Sequence, residues 1–127
     1  MAARLTLRVD LGPGHSIGPG KMRLLDAIAE TGSISSAGRT LGMSYRRAWM
    51  LIDDLNTSFK RKVVATTLGG KEGGGATLTP FGQELVKRYR AIETDAAKAA
   101  RAHIAFLARA LRGGAGAGAA KRTRLSR

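Results

Sequence analysis

The sequence predicts a mainly α fold that carries one small β-hairpin and ends on a long helix. Three observations predict it. Between Lys21 and Phe59, apolar residues recur at helical spacing in runs separated by glycine. Two short runs rich in β-branched residues then flank the glycine-rich stretch Gly69 to Gly75. From Thr79 a single helical pattern continues to Leu111.

Taken in order, Leu5, Leu7, Val9 and Leu11 alternate with Arg4, Thr6, Arg8 and Asp10, the period of a half-buried strand. Gly12-Pro13-Gly14 ends it, and "HSIGPG" reads as a continuing loop. From Lys21 a helix places Met22, Leu24, Leu25, Ile28 and Ala29 on one face and closes at Gly32. Ser33 is suited to cap a second, short helix with Ile34, Ala37 and Leu41 inward, broken by Gly42. Ser44 caps a third, whose stripe is Ala48, Leu51, Ile52, Leu55 and Phe59, with Trp49 at its edge. "KVVATT" from Lys62 and "ATLT" from Ala76 read as paired strands across the glycine loop. Thr79-Pro80 then opens the last helix, about 79–111, with threonine as cap and proline in the first turn.

In that helix Leu85, Tyr89, Ile92, Ala96, Ala99, His103 and Phe106 are spaced alternately four and three apart, a coiled-coil seam. More than thirty residues of helix reach ~45 Å, further than so small a core can cover. The distal part therefore calls for a partner, most simply the same helix of a second copy. The division expected is a domain over 1–111 and a disordered, basic, Gly/Ala-rich tail over 112–127.

Composition narrows the function. The 127 residues are 43% hydrophobic but only 5% aromatic, so the core is aliphatic. Lys and Arg number 22 against 9 acids, a formal charge of +13. That excess makes a polyanion the first partner to consider, because each neutralised phosphate releases condensed counterions. There are no cysteines, and the two histidines, His15 and His103, are far apart. Disulfides, thiolate metal sites and a cysteine nucleophile are excluded, no metal or cofactor is expected, and no catalytic constellation stands at usable spacing. No apolar run approaches the ~18 residues of a membrane span, and the chain reads as cytoplasmic.

The glycine loop invites comparison with a phosphate-binding loop. "GKEGGGAT" (Gly70 to Thr77) has the glycine spacing, but Ala76 stands where such a loop needs lysine. The residues after it read as a strand rather than a helix. The alternative is a turn between antiparallel strands directly after two short helices, which is a wing. There Gly70, Gly73 and Gly74 let the backbone approach phosphates and expose N–H donors, and Lys71 supplies charge at the tip.

Two short helices joined around Gly42 form a helix-turn-helix, and the amino end of its second helix, "SYRR", is left on the surface. Arg46 and Arg47 each offer a planar fork to guanine or phosphate, and Tyr45 can bond phosphate or stack. Ser33, Ser35 and Ser36 suit phosphate contacts at the amino end of the helix before it, while capping is the main role expected of Ser33 and Ser44.

The joint pattern "GSIS-x-A-x-x-x-G-x-SY-x-x-AW-x-x-I-x-x-L-N" and "GGK-x-GGGA-x-LT-x-x-GQ-x-L" strongly resembles the amino-terminal domain of ModE-type molybdate-responsive transcriptional regulators. It is related more distantly to LysR-type winged helices. The resemblance covers about residues 4 to 95. It implies a winged helix-turn-helix that binds double-stranded DNA as a homodimer at an inverted-repeat operator. Tyr45, Arg46 and Arg47 would lie in the recognition helix and the Lys71 loop would be the wing. Full-length members of that family continue into paired small β-barrels that bind molybdate or tungstate. Residues 96–127 contain nothing resembling them, so no small-molecule effector is expected to bind this chain directly. Two other readings stay open from sequence: a non-specific architectural DNA-binding protein, and an accessory protein of molybdenum metabolism that binds an oxyanion or a partner.

Overall fold

A computed structural model describes residues 3–67 and 75–113. Their element order is β1 (Val9–Gly12), β2 (His15–Ile17), α1 (Pro19–Thr31), α2 (Ile34–Leu41), α3 (Tyr45–Ser58), β3 (Val64–Thr67), β4 (Gly75–Leu78) and α4 (Pro80–Arg109). The chain divides into two compact units, Leu7–Arg90 and the terminal stretches Met1–Thr6 with Ala91–Arg127.

In the larger unit, α1, α2 and α3 pack on one another, and the β3–β4 hairpin packs on α1. The core is formed by Met22, Leu24, Leu25, Ile28, Ala37, Ala48, Ile52, Leu55, Val63 and Val64 together with Tyr89 of α4. Each large apolar side chain buried this completely contributes about 1.5–3 kcal/mol. Tyr89 is fully buried, and its hydroxyl donates to Leu7 O at 2.6 Å, fastening the start of the unit to α4.

The helices follow the predicted pattern with small shifts. α1 begins at Pro19, where the missing N–H of proline costs no helical hydrogen bond. Ala27 rather than Ala29 completes its buried face; Ala29 shares the helical phase of Leu25 and Met22 but, in the last turn of the helix, is left exposed. Gly32 and Gly42 both adopt left-handed backbone, φ 71° and 69°, and stop α1 and α2 as predicted. Leu51 and Phe59 are only half-buried, and Trp49 is half-buried at the rim of the core. α4 ends at Arg109, two residues before the expected Leu111.

The amino-terminal region differs from expectation. Residues 5–8 are not strand, although Leu5 and Leu7 are half-buried as their alternation requires. "HSI", expected in a loop, is strand β2, paired antiparallel with β1 through Val9↔Ile17 and Asp10↔Ser16. The turn between them is Pro13-Gly14, with Gly14 at φ 77°. Proline followed by a left-handed glycine is the signature of a type II turn, so the residues taken as a strand stop are what folds the chain back. The second hairpin matches its prediction closely, with Val64↔Leu78, Ala65↔Thr77, Thr66↔Ala76 and Thr67↔Gly75 paired antiparallel. Gly70, Lys71, Gly73 and Gly74 lie outside the described residues, as do residues 114–127 of the expected tail.

Candidate nucleic-acid interface

The candidate interface is built by α2, α3 and the turn between them. Gly38 on α2 is buried at the point where the two helices approach. A Cβ there would meet Met43 O at 3.3 Å and Ala48 Cβ at 3.7 Å. The turn is closed by Met43 N–H to Gly38 O at 2.9 Å and Gly42 N–H to Arg39 O at 3.1 Å. A small residue at 38 and a left-handed glycine at 42 thus set how α3 leaves α2.

Ser44 Oγ accepts from Arg47 N–H at 3.0 Å and caps α3, as predicted. Ser33 Oγ accepts from Ser36 N–H at 3.1 Å and caps α2. Capping occupies both hydroxyls with local structure. Ser36 is half-buried, and its hydroxyl accepts from Arg39 Nη2 at 3.2 Å. Ser35 is exposed, with its hydroxyl 3.3 Å from that of Ser33.

The first turn of α3 carries the chemistry. Tyr45, Arg46 and Arg47 are all exposed, Tyr45 at 57%. Among the described residues neither arginine side chain makes an ion pair or hydrogen bond, so both guanidinium forks are available to a ligand. The Tyr45 and Trp49 rings form a T-shaped pair with centroids 6.3 Å apart, a contact that orients Tyr45 while more than half of it stays exposed. Met50, 59% exposed, and Asp53 continue the outer surface of the helix. Asp53 and Asp54 sit in its later turns, away from the arginines. Lys21 Nζ reaches Asp54 at 2.7 Å.

Two further side chains bear on this surface and were not singled out from sequence. Arg39 is exposed near the end of α2 and reaches back to Ser36. Asn56, in the last turns of α3, bonds the hairpin base: Oδ1 accepts from Val63 N–H at 2.8 Å and Val64 N–H at 3.0 Å, and Nδ2 donates to Val64 O at 3.1 Å. Helical phase alone exposes Arg39; nothing local in the sequence announces a long-range contact by one asparagine.

The hairpin is also held on its other sides. Ala76 N–H donates to Gly32 O at 3.0 Å, and Thr79 N–H donates to Val63 O at 2.9 Å. Thr79 Oγ1 donates to Lys62 O at 2.6 Å and accepts from Gly82 N–H at 2.9 Å, so the predicted cap of α4 also braces the hairpin. Gly75 N–H donates to Thr67 Oγ1 at 3.0 Å at the last described pair before the loop.

Of the predicted seam on α4, Leu85 and Tyr89 are spent in the core of their own unit, at 7% and 0% exposure, and are not available to a partner. Ile92, Ala99, His103 and Phe106 are exposed and Ala96 is half-buried. Leu107, outside the seam as predicted, is 64% exposed beside Phe106 at 66%. No group of three or more metal-ligating side chains occurs among the described residues. None of the described helices is long and apolar enough to cross a membrane.

Residues 20–83 match the family of bacterial regulatory helix-turn-helix proteins of LysR type. The molybdenum-pterin-binding protein MopB of Rhodobacter capsulatus is 46% identical over 85 residues, which are 67% of this chain and 32% of that protein. The transcriptional regulator ModE of Yersinia pestis is 38% identical over 99 residues, 78% of this chain and 38% of the relative. The DNA-binding transcriptional dual regulator ModE of Escherichia coli K12 is 38% identical over 89 residues, 70% and 34% of the two chains. The chain thus spans about a third of the length of these relatives. Among solved structures, the CbnR_DBD–DNA complex superposes with a TM-score of 0.53 at 18% identity, covering 69% of this chain and 95% of the other. That likeness establishes the fold as a winged helix-turn-helix.

Proposed function

This chain belongs to the bacterial regulatory helix-turn-helix family of LysR type, and from that premise we propose that it is a sequence-specific transcription regulator that binds double-stranded DNA. The observation that carries the reading is the first turn of α3. Two exposed arginines without partners among the described residues, Arg46 and Arg47, project there from a helix capped by Ser44. Planar forks at the amino end of the second helix of a helix-turn-helix suit base edges in the major groove. Tyr45 and Ser35 flank them as phosphate contacts. Lys71 and its neighbouring glycines, which lie in sequence between β3 and β4, would meet the flanking backbone or minor groove. The large positive charge draws the protein to DNA and speeds encounter.

The chain acts as a homodimer through the part of α4 beyond Tyr89, where Ile92, Phe106 and Leu107 are exposed. A two-fold pair of recognition helices reads an inverted repeat, with half-sites one helical turn apart, about 34–36 Å. Work in the cytoplasm follows from such a role. One relative is named a molybdenum-pterin-binding protein and two are named transcriptional regulators, and regulation in a molybdenum-related setting is the context proposed for this chain.

Arg46→Ala and Arg47→Ala test the assignment. Each lost bidentate base contact costs ~1–3 kcal/mol against the preferred sequence and relaxes specificity at its own base pair. Titration of operator and scrambled duplexes separates the two effects. An operator preference left unchanged by both substitutions contradicts the assignment.

A further inference from the structure

The ties that hold the β3–β4 hairpin to the helices differ in kind. Toward α1 and α4 they include backbone pairs, Ala76 N–H to Gly32 O and Thr79 N–H to Val63 O. Toward α3 the hydrogen bonds run through one side chain. The Asn56 amide makes three bonds of 2.8–3.1 Å to Val63 and Val64. Both valines are essentially buried, 0% and 1% exposed. Their N–H groups therefore have no water to turn to if the amide is withdrawn. One amide both accepts and donates there, which fixes rotation as well as distance between the helix and the strand.

Asn56 also sits at a particular place on α3. It lies ten residues beyond Arg46, about 15 Å along a rigid rod whose other end carries the base-reading arginines. From Val64 the hairpin extends through Thr67, the last described residue of its strand, about 10 Å away at the rise of a β-strand. A rotation of only ~10° at the base displaces that point by nearly 2 Å, more than the tolerance of a hydrogen bond.

We propose that Asn56 is a positioning residue that fixes the angle of the wing against the recognition helix, so that the two engage one duplex in a single register. The inference rests on the DNA-binding reading above and assigns a role that neither Arg46 nor Lys71 can fill. With the clamp in place, the affinity contributed by the wing adds to that of the recognition helix. With the clamp altered, the hairpin remains attached through Gly32 and Thr79 but no longer meets the phosphates that the helix has aligned.

A double-mutant cycle on the full chain tests it. The duplex is the one that wild-type protein enriches from a random pool, and binding is read by fluorescence anisotropy. Asn56→Asp keeps both acceptor bonds and loses the donor to Val64 O. Asn56→Gln keeps the amide on a longer stem and serves if the first variant does not fold, as judged by circular dichroism. The expected result is that Lys71→Ala weakens wild type at least threefold but weakens the Asn56 variant less than 1.5-fold. Arg47→Ala should weaken both backgrounds by the same factor. If Lys71→Ala has equal effects in the two backgrounds, or none in wild type, the positioning role is wrong. If neither Asn56 variant folds, Asn56 is a folding requirement and the proposal is overturned. Failure of the wild-type protein to enrich any sequence is a separate outcome, seen before any variant is made. It removes the sequence-specific reading and this inference with it.

Discussion

Gly82 shows how tightly single residues constrain this fold. It is buried in the first turn of α4, and a Cβ there would lie 2.2 Å from Val63 O. The obstacle is backbone, held by Thr79 N–H, so it cannot move aside as a flexible side chain would. Gly82→Ala is therefore expected to destabilise the protein by about 1–3 kcal/mol, the range for overpacking a well-filled site. Urea denaturation checks this, and an unchanged midpoint contradicts the close approach. Arg46 and Arg47 are the opposite case: their side chains have no partner among the described residues, so replacing them should change DNA binding and leave the denaturation midpoint nearly unmoved. Legibility from sequence follows the same divide. The arginines were readable because exposure follows from helical phase. Asn56 and Gly82 were not, because their roles depend on what the chain brings back to them in space.

At the scale of elements, the cap of α3 links stability to the candidate interface. Ser44→Ala removes the bond to Arg47 N–H and should cost about 1 kcal/mol. Ser35→Ala is the control, since among the described residues its exposed hydroxyl makes only the contact with Ser33 and should cost little. Chemical denaturation of the two variants side by side distinguishes a cap from a surface serine. The three helices were legible because apolar period agreed with a glycine stop in α1, a serine cap and a glycine stop in α2 and a serine cap in α3, and the second hairpin because β-branched runs flank the glycines. The first hairpin was missed for a physical reason. A Pro-Gly pair that ends a strand also makes the turn that starts the next, and a three-residue strand such as His15–Ile17 has too short a run to show a period. Leu85 and Tyr89 fit a heptad seam, yet their helix uses the same face first on its own core. Spacing reveals which face of a helix is apolar but not which surface covers it.

For the whole molecule, the account depends on two copies acting together on DNA. Replacing Phe106 and Leu107 with Ser removes exposed apolar groups that contribute nothing to the buried core. Sedimentation should then show a monomer under conditions where wild type is a dimer, with the melting of the Leu7–Arg90 unit little changed. A dimer that persists unaltered places the interface elsewhere. The central claim, sequence-specific recognition by the first turn of α3, is tested most directly by selection from random duplexes with the full chain, wild type against Arg46→Ala/Arg47→Ala. The account predicts an inverted-repeat consensus for wild type and its loss in the double variant. Enrichment of no sequence by wild type, with tight binding to every duplex, contradicts it and identifies a non-specific architectural protein instead.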